Sequence, residues 1–191
     1  MRKLTVFNFI TLNGFYKGPD NDISWHRHGA EEGQYSADAM KSDNILLFGR
    51  VTYEMMASWW PTPMAAEAYP EVAKGMNNAE KIVFSNIIED PKWSNTKAMS
   101  GDIVEKIRNM KQQPGKDFTI LGSGTIVSQF AQAGLIDNYE IMIDPVVLCS
   151  GTPVFNDMKH GMYLELTGTR TFKSGVVLLS YKPGTGDNDK G

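Results

Sequence analysis

The stretch Phe118-Thr119-Ile120-Leu121-Gly122-Ser123-Gly124-Thr125-Ile126-Val127 decides how the rest of the chain is read. Phe118 to Leu121 is a short apolar run of the kind that forms a buried strand. It meets a Gly-Ser-Gly-Thr turn that opens a helix with apolar residues at Ile126, Val127, Phe130 and Ala131, and Gly134 stops that helix. Glycines allow a tight turn and a close approach by a ligand, while the first turn of a helix offers unpaired N–H groups and the positive end of a dipole. Such a junction suits an anion, most naturally phosphate. The same residues also serve as a plain strand-to-helix turn, and the motif alone leaves both readings open.

Working outward, the pattern repeats. Asn44 to Phe48 is a second buried strand, and it ends in Gly49-Arg50-Val51-Thr52-Tyr53-Glu54 at the start of a helix that reaches Trp59-Trp60-Pro61. The Arg50 guanidinium can grip a phosphate or pair with Glu54 one turn on, and the two tryptophans are expected to anchor the core. A third apolar strand, Lys81 to Asn86, carries Ser85 at its end, either as a ligand contact or as a turn cap. Leu4 to Ile10 reads as a central strand leading into an Asn13-Gly14 turn. A polar loop over residues 17–22 and the segment Trp25-His26-Arg27-His28 follow, and the alternating histidines are read as solvated rather than as metal ligands. Glu31 to Lys41 forms an amphipathic helix with Tyr35, Ala39 and Met40 inward. Pro70 opens a covering helix carrying Val72, Ala73 and Met76, and Asp102 caps another with Ile103, Ile107 and Met110 on one stripe. The strand at Tyr139 to Ile143 is expected to continue past Pro145. Tyr163 to Phe172 and Val176 to Tyr181 form a terminal antiparallel hairpin.

This alternation gives an α/β fold: a mixed, mainly parallel sheet flanked by helices, with an antiparallel C-terminal hairpin, in one domain over residues 1–182 and a polar tail over 183–191. The chain has 191 residues and a net charge of -3, with no basic run, which argues against nucleic acid or a membrane surface as the main partner. The lone Cys149, read as a small buried residue, excludes an internal disulfide framework, and with no long apolar stretch a cytoplasmic protein is expected.

Gly49-Arg50-x-Thr52-Tyr53-Glu54, the strand ending at Ser85, and Gly122-Ser123-Gly124-Thr125 followed by Gly134-Leu135-Ile136-Asp137 resemble the dihydrofolate reductase superfamily. The nearest branch is the C-terminal reductase domain of the bacterial bifunctional riboflavin-biosynthesis deaminase-reductase and its stand-alone relatives. The resemblance implies an NADPH-dependent reductase, forming a homodimer, that acts on a small heterocycle, either pterin-like or the riboflavin-pathway pyrimidine. It implies that Gly49, Arg50 and Thr52 hold cofactor phosphates, that Ser85 lies near the adenosine ribose phosphate, and that Gly122, Ser123, Gly124, Thr125 and Ile126 cradle the pyrophosphate. Leu12, Gly14 and Trp25 would border the nicotinamide and substrate pocket. Asn13 would orient the substrate and Glu31 or Asp38 would supply a proton, with Glu32 also on the first helix; no metal is implied. The alternative is a cofactor-binding protein with weak turnover that serves as a sensor or carrier.

Overall fold

The computed structural model describes residues 1–27 and 29–185. Its centre is an eight-stranded sheet in the order β5-β4-β3-β6-β1-β7-β10-β9. The strands are β1 (Leu4–Thr11), β3 (Ile45–Gly49), β4 (Lys81–Phe84), β5 (Thr96–Met99), β6 (Phe118–Leu121), β7 (Asn138–Asp144), β9 (Leu164–Thr171) and β10 (Val177–Pro183). β1 lies between β6 and β7 and is parallel to both, with Val6 opposite Ile120 on one side and Tyr139 on the other. β10 runs antiparallel to β7 and β9, so the terminal hairpin stands as expected. A small second sheet pairs β2 (Phe15–Lys17) with β8 (Thr152–Pro153).

Alternation along the strands sends side chains to two cores. Leu4, Val6, Leu47 and Ile120 face one side, covered by α5 (Ile103–Gln112) through Ile107 and by α6 (Gly124–Gln132) through Val127 and Phe130. Phe7, Leu46, Phe48 and Val83 face the other, covered by α1 (Ala30–Met40), α2 (Arg50–Trp59) and α4 (Pro70–Asn78), with α3 (Pro63–Ala68) between the last two. Every strand in the middle of the sheet is covered on both faces, which is why these segments read as continuous apolar runs. Fully burying a side chain such as Phe48 contributes roughly 2–3 kcal/mol.

The structure corrects several expectations. β7 stops at Asp144 instead of continuing past Pro145, whose missing N–H cannot extend a ladder and whose predecessor is tied elsewhere. β5 is a partly exposed edge strand, too polar to stand out in the sequence. The tail starts later: Pro183 pairs with Leu164 and the Gly184 N–H donates to Tyr163 O at 2.9 Å, while residues 186–191 lie outside the described residues. Cys149 is exposed rather than buried.

β3 leads to β4 and β5 on one side, whereas β6 leads across β1 to β7 on the other. The seam between β3 and β6 is therefore where the winding reverses, the place where open α/β sheets bind ligands beyond the strand ends.

Candidate functional site: a glycine seam beside an aromatic cavity

Both glycine junctions fall on that seam, and a hydrogen bond joins them. The Gly49 N–H at the end of β3 donates to Ser123 Oγ at 2.9 Å, and Ser123 Oγ donates to Leu121 O at 3.3 Å. Gly122 (φ +62°) and Ser123 (φ +59°) are both left-handed, which turns the chain sharply out of β6 and into α6. A methyl group at Gly122 would come within 3.0 Å of Thr52 Cγ2, and one at Gly49 within 3.3 Å of Ile126 Cγ1. Gly49, Thr52, Gly122, Ser123, Gly124 and Ile126 are thus gathered into one cradle, with Thr125 exposed on the first turn of α6. Asn8 on β1 also reaches it, donating from Nδ2 to Gly122 O at 3.3 Å.

Tyr16 covers this cradle. A methyl group at Gly124 would meet Tyr16 Cε1 at 2.9 Å and Val154 O at 3.0 Å. Burial raises the pKa of the Tyr16 phenol, and a hydrogen bond from the Gly124 backbone opposes that rise. A phosphate reaching the Gly124 amide therefore has to take the place of the Tyr16 hydroxyl.

Arg50 and Ser85 make local contacts. Arg50 Nη1 donates to both oxygens of Glu54 at 3.1 and 2.8 Å on the exposed face of α2. Ser85 Oγ accepts from the N–H groups of Ile87 and Ile88, each at 3.1 Å, and so caps the turn after β4.

Beside the cradle lies a cavity of about 390 Å³, and Thr52 and Gly122 belong to both. Trp25, Trp59, Trp60, Met55 and Phe9 form much of its wall. Of the two tryptophans expected in the core, Trp60 packs against it and also lines the cavity, whereas Trp59 is partly exposed on the cavity wall. His26, expected in solvated loop, is buried: its Nδ1 lies 2.8 Å from Asp144 Oδ2, and its ring packs 3.9 Å from that of Phe9. Asp144 is 0% exposed and its other oxygen accepts the Arg27 N–H at 2.8 Å. His28 lies outside the described residues, and among the described residues there is no cluster able to hold a metal.

The three acids near α1 separate clearly. Glu32 is 3% exposed, lines the cavity and accepts the Ser174 hydroxyl. Glu31 and Asp38 do not line it. Glu31 accepts the Lys173 N–H at 3.0 Å, which holds its carboxyl below the ordinary range. Asp38 borders a second cavity of about 280 Å³, and its hydrogen bonds from Lys41 and Gln34 likewise lower its pKa. Helix phase explains the difference: steps of four back from Met40 pass Ser36 and reach Glu32, all three on the cavity wall. Asn13 is exposed after β1, with Nδ2 donating to Leu148 O at 2.7 Å and Oδ1 accepting from Thr11 Oγ1 at 2.8 Å. Of the other bordering residues, Trp25 lines the cavity, Leu12 is exposed and Gly14 turns the chain at φ +88°.

A mainly parallel sheet with a single reversed strand near one edge, a glycine cradle at the switch point and a deep cavity alongside define a dihydrofolate-reductase-like α/β protein. The chain belongs to the RibD C-terminal domain family, whose model matches residues 2–178. It is 28% identical over 180 residues to the protein YyaP of Bacillus subtilis (strain 168), covering 94% of each chain. In fold it is similar to a riboflavin biosynthesis protein structure from Shewanella sp. PV-4, with a TM-score of 0.74 at 18% identity over 95% of this chain and 99% of that one. It is also similar to dihydrofolate reductase of Enterococcus faecalis, a structure complexed with NADP(H), with a TM-score of 0.64 at 16% identity over 95% and 96% of the two chains.

Proposed function

We propose that the protein is an NADPH-dependent reductase that transfers hydride to a planar nitrogen heterocycle, either pterin-like or related to the riboflavin-pathway pyrimidine. The observation that carries this reading is the sharing of Thr52 and Gly122 between the glycine cradle and the aromatic cavity. With its phosphates on the cradle, a dinucleotide would have the adjoining cavity within reach of its reactive ring, and the cavity walls would hold the second ring. The residues fit the cofactor: the left-handed turn at Gly122 and Ser123 opens the backbone to phosphate, and α6 adds its amino-terminal N–H groups.

NADPH, when bound, supplies the hydride. The chain supplies orientation, dryness and a proton. The tryptophan and methionine walls exclude water and stack against a flat ring. The His26–Asp144 pair and Glu32 are the ionisable groups placed to hold a substrate edge or exchange a proton. Asp144 holds the imidazole through Nδ1 and so fixes the direction of Nε2. In this reading the proton role proposed for Glu31 or Asp38 passes to His26 and Glu32, because the former pair do not line the cavity and their bonds favour the ionised form. Arg50 can still turn to a cofactor phosphate, since an exposed ion pair such as that with Glu54 is worth only ~0.2–1 kcal/mol.

Titration with NADPH and NADH, followed by the loss of NADPH absorbance on adding dihydrofolate or the riboflavin-pathway pyrimidine, tests the proposal. Preferred NADPH binding with turnover is expected. Binding without turnover would favour a sensor or carrier, and no binding would remove the reductase reading. Homodimerisation is part of the same proposal, and sedimentation at micromolar concentration tests it.

A further inference from the structure

We infer that the cavity selects an unphosphorylated, largely apolar planar ring system and disfavours a substrate that carries a sugar phosphate. The inference rests on the reductase reading only in assigning the cavity to the substrate. A phosphate dianion is held in proteins by guanidinium forks, fixed ammonium groups or free helix amino ends. Among the described residues, no arginine lines this cavity. Its one lysine, Lys17, is held toward the Asn21 loop, where Nζ donates to Asn21 Oδ1 at 2.6 Å and sits 5.5 Å from the ring centre of Tyr16. The amino end of α1, which borders the same space, carries its own acid, for Glu32 folds back on Gly29 and lies nearly buried against the wall. On the α1 side a phosphate entering here would lie against a buried carboxylate, and the amino end of α6 on the other side belongs to the cradle assigned to the cofactor phosphates.

The walls state what is welcome instead. Trp25, Trp59, Trp60 and Met55 present flat or polarisable apolar surface to one space of about 390 Å³. Such surface stabilises an aromatic ring by burial and stacking, and does nothing for a hydrated sugar phosphate. Trp59 and Val51 lie partly exposed at the rim, where the phosphate of a longer substrate would have to pass.

Calorimetric titration with 2-naphthol and 2-naphthyl phosphate, each in excess NADPH so that the glycine cradle is filled, isolates the contribution of the phosphate, because the probes share one ring system. The expected result is at least tenfold tighter binding of 2-naphthol. Trp59→Ala should weaken 2-naphthol about tenfold with an unchanged circular dichroism spectrum. Val51→Arg, which adds a cation at an exposed rim position, should strengthen 2-naphthyl phosphate about tenfold and leave 2-naphthol unchanged. Equal or tighter binding of the phosphate by the unaltered protein, or no binding of 2-naphthol, would overturn the inference. So would a Trp59→Ala protein with undiminished 2-naphthol affinity. Absence of NADPH binding alongside the expected probe preference would remove the reductase reading and leave the ligand class standing.

Discussion

Tyr16→Phe removes one oxygen from the mouth of the glycine cradle, and the structure sets the size of its effect. The Tyr16 ring packs against Gly124, and the Gly124 amide bonds to its hydroxyl. A cofactor phosphate that takes this amide first has to break that bond, while the packing of the ring is the same with or without the hydroxyl. A neutral hydrogen bond of this kind contributes ~0.5–1.5 kcal/mol net, so its removal should tighten NADPH binding about twofold to tenfold. The assay is calorimetric titration of both proteins at fixed pH and salt, with adenosine as a control ligand that lacks phosphate and should respond equally to both. Unfolding in urea should show a loss of about 1–3 kcal/mol, since the freed amide belongs to Gly124, which is buried. NADPH affinity that is unchanged or weaker in Tyr16→Phe would refute the idea that the hydroxyl occupies the phosphate position.

Three further outcomes follow from the geometry. Gly122→Ala forces an alanine to φ +62° and a methyl group against Thr52, so urea unfolding should show a loss of roughly 2–3 kcal/mol, part of it recovered by Thr52→Ser. Asp144→Ala leaves His26 and the Arg27 N–H without their buried acceptor and should cost about 3 kcal/mol of stability and at least tenfold in turnover, whereas Asp144→Asn keeps the Arg27 bond and should lose less. Burial lowers the pKa of Lys81, 1% exposed, to about 8 against 10.5 for a free lysine. Between those values the unfolded chain binds more protons than the folded one. Stability should therefore rise as pH climbs from about 8 toward 10.5, with the full penalty present below 8. Carbonyls of Ala79 and Asn77 and the ring of Trp93 ease that penalty, so the gain is ~1–3 kcal/mol, and it should vanish from the difference curve in Lys81→Met.

Local patterns carried most of the fold. The central strands are short apolar runs because both faces are covered, and the glycine junctions announce themselves because a left-handed turn at Gly122 is a property of a few adjacent residues. β5 escaped because an edge strand needs little apolar surface. The cavity was harder to see. Trp59 is apolar and helical whether it fills a core or walls a cavity, so composition could not separate the two. Glu32 was within reach through helix phase, since it shares the face of Met40. The pairing of His26 with Asp144 was not: 118 residues separate them, and no spacing rule joins a loop after β1 to the end of β7.

That pairing has a consequence for the order in which the molecule assembles. The loop between β2 and α1 cannot be fastened at Asp144 until β7 has docked on β1, so closing it completes the structure rather than starting it. A segment fastened last is also the one released first by a small fluctuation. Limited proteolysis and amide exchange should therefore find residues 17–27 opening as a separate unit, well before the sheet, and a ligand bound in the cavity should close that unit.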